Sequence, residues 1–122
     1  MTDQKSFTKF ENDVVHQYRK NIMAADSTEE VGKYFARTVC DLLEKASAKT
    51  VQCRHEDVTF LPTKTPCYGL AESLTAQPAF QTIWRASDLA AIFTRLVEPA
   101  VHRYTHLEKH REKTNINNYH HL

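Results

Sequence analysis

Apolar residues recur along this chain at intervals of three and four, the spacing that stacks side chains on one face of a helix. Phe7, Phe10, Val14, Tyr18 and Ile22 form the first such stripe, while Lys9, Asp13, His16 and Lys20 point away, so a helix is expected from Ser6 to Met23. Ser27-Thr28-Glu29-Glu30 has the form of a capping box, in which the Ser27 hydroxyl can accept from the Glu30 amide. It opens a second stripe of Val31, Phe35, Val39, Leu42 and Ala46, giving a helix from Ser27 to about Ala48. Gly32 is its weak point, costing about 1 kcal/mol against Ala in an interior turn. The longest stripe starts at Ser87 and carries Leu89, Phe93, Leu96, Ala100, Tyr104 and Leu107. Pro99 lies inside it and withholds an amide, so a kink is expected just before it. After His110 the pattern turns polar and predicts a loop, then a final half-turn in which Asn117 to Leu122 are frayed unless Tyr119 and Leu122 dock.

The stretch Thr50 to Pro66 carries two signals. Val58-Thr59-Phe60 favours a strand, and Glu56 to Leu61 also reads as two helical turns stopped by Pro62. Gly69 to Ala76 predicts a short helix with Leu70 and Leu74 inward. Pro78 suits the first position of another, anchored by Phe80, Ile83 and Trp84.

With 122 residues the chain fits one compact domain, 1–122, in two helical halves, 1–62 and 67–122. Two glycines and four prolines disfavour a turn-rich β protein, so the expected class is all-α. No apolar run is long enough to cross a bilayer and the first residues lack a signal-peptide core, so a cytoplasmic location (nucleoid, or nuclear in a eukaryote) without a membrane partner is expected. Cys40, Cys53 and Cys67 are odd in number with no close pair, which predicts small, reduced, partly buried side chains. A formal charge of +1 weighs against a dedicated DNA compactor, whose affinity comes from neutralising phosphates.

Phe35-Ala36-Arg37, Asp41 to Ala46, Ala48-Lys49-Thr50-Val51 and Glu56-Asp57-Val58 resemble the histone-fold family: the end of its central helix, its basic-Thr-aliphatic loop and the acidic opening of its third helix. Gly69–Ala76, Asp88–His110 and Arg111, Lys113, Thr114 and Ile116 look like a second, weaker copy. The resemblance implies helix-loop-helix units forming a histone-fold pseudo-dimer in one chain. Two departures stand out: Asp57 lies further from Thr50 than the family's acid does, and Asn115 takes an aliphatic position.

In that family the loops of paired units lie side by side and hold DNA phosphates. The matching positions are Lys49 and Thr50 in one loop and Arg111, Lys113 and Thr114 in the other, with Arg19, Lys20, Asn21 and Arg85 alongside. Cations, a hydroxyl and backbone amides suit phosphate contact without base specificity. The alternative for all of them is ordinary solvated charge. His102, His106 and His110, four apart, could chelate a divalent metal, but they project away from the apolar face and read first as solvated or interface histidines. No glycine loop and no nucleophile motif argues for an enzyme, and no cofactor is implied. The expectation is a non-enzymatic module that contacts double-stranded DNA without sequence preference. The alternatives are a protein-interaction subunit, binding itself or another helical protein, or a metal-binding bundle.

Overall fold

A computed structural model describes residues 6–120, with side chains described through residue 110. Helix α1 spans Thr8–Ala24 and α2 spans Thr28–Ala46; a 3-10 turn, His55–Asp57, leads into strand β1, Val58–Phe60. Strand β2, Tyr68–Leu70, is followed by a single turn of helix, α3, Glu72–Thr75; then come α4, Pro78–Arg85, and α5, Leu89–His120.

Contacts between helices fix their directions. The start of α1 meets the start of α5, because the Phe7 amide donates to Asp88 Oδ1 at 2.8 Å. Further along, Glu11 accepts both guanidinium bonds of Arg95, and the Tyr18 hydroxyl donates to the Leu96 carbonyl at 2.5 Å. Just past α1, the Ala25 carbonyl accepts two bonds from Arg103. Thus α1 and α5 run parallel, and α2 returns antiparallel between them. One continuous core fills the bundle: Tyr18 and Ile22 from α1, Phe35 and Leu42 from α2, Phe93 and Leu96 from α5. Each such side chain contributes roughly 1.5–3 kcal/mol of burial.

Local signals explain most of the helix ends. Ser27 accepts from the Glu30 amide as a cap should, at 3.2 Å, and Pro78 occupies the first turn of α4. At the far end of α2, Ala48 and Lys49 take left-handed backbone conformations, φ 51° and 67°, which turn the chain out of the helix. At the mouth of α1 the N-cap residue Phe7 has no capping side chain, and the Ser6 hydroxyl accepts from the Thr8 amide only at 3.4 Å. Asp88 serves instead, also accepting from the Ser6 and Thr8 hydroxyls.

Several expectations need correction. The fold is mostly helical rather than all-α: β1 and β2 pair antiparallel in a two-stranded sheet, Val58 opposite Leu70 and Phe60 opposite Tyr68. Glu56 to Leu61 is therefore a 3-10 turn and a strand, and Gly69 belongs to β2 instead of opening a helix. No loop forms after His110; α5 continues to His120 through good helix formers such as Glu112 and Lys113. Pro99 sits inside α5 without ending it. Tyr119 and Leu122, on whose docking the end of the chain was expected to depend, fall outside the described side chains. Finally, Cys40 and Cys53 are joined as a disulfide, with Cα atoms 5.2 Å apart, while Cys67 is free. Separation in sequence concealed that pair, because the turn after α2 folds the chain back along the helix.

Candidate functional site

An open groove of about 790 Å³ lies between α2 and β1. The N-terminal half of α2 supplies one wall, β1 and the segment after it the other, and Tyr104 of α5 contributes to its lining.

The β1 wall is held from behind. Asp57, buried, accepts from the Arg54 amide at 3.1 Å and the Ser73 hydroxyl at 2.8 Å, which fixes the turn entering the strand. Ladder bonds from the Ala71 amide to the Asp57 carbonyl and from the Leu61 amide to the Cys67 carbonyl, each 2.8 Å, set the register. Bonds alternate along an antiparallel strand, so Thr59 is the residue whose N–H and C=O face Gly69. The Phe60 N–H and C=O and the Val58 C=O then point away from β2, along the edge that borders the groove. The Val58 N–H is occupied by the His55 carbonyl. An edge of this kind, with unpaired donors and acceptors, is a template for another strand.

Aromatic rings pin the sheet down. Phe60 and Tyr68, facing each other across the pair, both pack on Phe35 of α2, with centroids 6.0 and 6.1 Å away. Tyr104 meets Phe60 edge-on, and Phe93 meets Tyr68 likewise. The sheet therefore lies with its Phe60 face on α2. A Cβ added at Gly32 would meet the Phe60 Cβ at 3.6 Å, an ordinary contact distance, so the strand crosses the helix beside Gly32. Gly32 and Ala36, one turn apart, make a low floor, and exposed Lys33 and Arg37 stand beside them. Lys64 rises from the segment after β1, and Glu29 and Glu56 bring the acidic charge. Among the described residues Lys33, Arg37 and Lys64 form no ion pair.

Two smaller hollows flank α2. One, of about 210 Å³, lies against α1 and is lined by Asp13, Gln17, Arg37 and Asp41; the other, of about 400 Å³, lies between Phe10 and Lys49.

The residues expected to contact DNA are not gathered. Arg19 and Lys20 are exposed on α1, and Arg85 is exposed at the end of α4. Lys49 and Thr50 follow the C-terminal end of α2, beside the start of α1. Arg111, Lys113 and Thr114 lie on α5 beyond Tyr104, which borders the opposite end of α2, and their side chains fall outside the described residues. The two expected loops are thus separated by the length of α2, about 28 Å for 19 residues. His102, His106 and His110 are exposed along α5, with the His106 and His110 rings 4.2 Å apart. Partial desolvation, then the nearby His110, Arg103 and Lys109, hold His106 below the ordinary histidine value. Among the described residues no group of three or more His, Cys, Asp or Glu side chains is arranged to hold a metal.

Sequence reasoning missed the groove although part of its signal was visible. Val58-Thr59-Phe60 favours a strand, but Tyr68-Gly69-Leu70 is short and contains glycine, so nothing local announced its partner. No helix among the described residues is long and apolar enough to cross a membrane. The chain matches no family model, no curated protein and no solved structure.

Proposed function

We propose that this chain is a non-enzymatic docking module that holds an extended segment of a partner protein along β1. The observation that carries this reading is the outer edge of β1, whose unpaired Phe60 N–H and C=O border a groove of about 790 Å³. An extended segment adding there gains main-chain hydrogen bonds, and its alternate side chains fall into the groove. The two-stranded sheet is already held on α2 by Phe35, and a strand added at its open edge would extend it over that helix. Of the roles open from the sequence, a protein-interaction subunit is the one the groove supports. The cations expected to hold DNA are spread over both ends of the bundle.

The test removes the Phe60 N–H and puts a methyl group in its place on the open edge. Residue 60 lies between Cys53 and Cys67, so ligation at those two cysteines can place N-methyl-phenylalanine there with the ring kept. Peptides selected from a displayed random library on the wild-type chain should bind the N-methylated chain about tenfold more weakly, the effect of one lost hydrogen bond. Equal binding to both chains, or selection that enriches no peptide, removes the proposal.

A further inference from the structure

We infer that the segment received by the groove is acidic: it places an aliphatic residue over Gly32 and Ala36 and a carboxylate two residues away, between Lys33, Arg37 and Lys64. This rests on the docking reading above and adds the chemistry of the partner.

Register follows from the open bonds. The partner residue that exchanges both hydrogen bonds with Phe60 points its side chain to the same face as Phe60, because residues directly opposite in neighbouring strands share a face. That face is the one packed on α2 through Phe35. Below it lies the floor made by Gly32 and Ala36, one without a side chain and one with a methyl group. A Val, Ile or Leu fits this position; a charged group there would lose water without a partner.

The next residue of the segment points away from α2, and the one after it returns to the groove about 7 Å along. Here the walls are charged. Lys33 and Arg37 are four apart on one helical flank, a spacing at which like charges repel. Neither has an ion partner among the described residues, and Lys64 adds a third cation from the opposite wall. Glu29 and Glu56 offset two of these three charges and leave the lining at +1, and Arg37 also lies beside Asp13 and Asp41 in the neighbouring hollow. A carboxylate entering from a partner relieves the Lys33–Arg37 repulsion, whereas a lysine would increase it.

The probe is a set of three fluorescein-labelled heptapeptides alternating threonine and valine, identical except for Glu, Gln or Lys two residues from the central valine. Fluorescence anisotropy against the full, oxidised chain at low salt should rank them Glu, Gln, Lys. The step from Glu to Gln should be about fivefold, as for one exposed ion pair, and should shrink as salt rises. Lys33→Glu combined with Arg37→Glu changes only exposed positions and should reverse the order. Equal affinity for all three peptides at low salt overturns the acidic partner while leaving strand docking in place, provided the N-methylated chain binds them more weakly. Absence of binding by any of the three overturns it as well, and a library selection that also fails takes the docking reading with it.

Discussion

Asp88 belongs to α5 by its place in the chain, yet its carboxylate serves α1, receiving the Phe7 amide and the Ser6 and Thr8 hydroxyls. Desolvation alone would raise its pKa. The Phe7 amide, the Ser6 hydroxyl, its own amide and the Thr8 hydroxyl outweigh that and hold it below the usual aspartate value. A carboxyl held down in this way stabilises the fold above its unfolded pKa, about 3.9, and loses that contribution as pH falls through the lower folded value. Asp88→Ala should therefore cost about 1 kcal/mol at neutral pH, the usual effect of a lost cap. Urea titrations should show the gap between variant and wild type closing below about pH 4. Nothing near Phe7 in the sequence announced this cap, because the residue that supplies it lies 81 positions away. Ser27 was legible for the opposite reason: its acceptor and donor are three residues apart.

At the scale of elements, α1, α2 and α4 were readable because stripe, cap and proline are all local signals. The sheet was not, since a strand of three residues becomes one only when its partner arrives from beyond an intervening loop. The end of α5 is ambiguous for a different reason: its polar run reads as a loop, yet Glu, Lys and Arg are also good helix formers. Gly32 changes meaning at this scale. As a residue in a helix it is a defect; as the point where α2 passes Phe60 it is the floor of the groove. The added methyl group of Gly32→Ala would meet Phe60 at ordinary contact distance, so thermal unfolding should show a gain of up to about 1 kcal/mol. The same variant should bind the glutamate heptapeptide less well, because the floor is raised. A gain in stability together with a loss in binding separates a glycine kept for the groove from one kept for packing.

For the whole molecule, the disulfide between Cys40 and Cys53 ties the end of the α2 wall to the chain that leads into the β1 wall. Counting cysteines could not reveal it, since an odd total with wide spacing gives no pairing. Closing a loop with a sequence separation of 13 should stabilise the fold by about 3 kcal/mol through restriction of the unfolded chain. Chemical denaturation with and without reductant should show that difference, and Cys40→Ser should remove the response to reductant. The candidate site as a whole was the least legible part, because it is made of a main-chain edge and a glycine floor rather than of reactive side chains.

The clamp between Phe7 and Asp88 also sets an order in time. During synthesis α1 and α2 leave the ribosome first, with the mouth of α1 uncapped and the face that α5 covers open to solvent. The capping carboxylate is 81 residues behind Phe7, and at about 5–20 residues per second it follows roughly 4–16 seconds later. Leu96 and Arg103, which meet Tyr18 and Ala25, come later still. The bundle can close only when α5 has been made, so α1 and α2 spend those seconds as an unfinished pair.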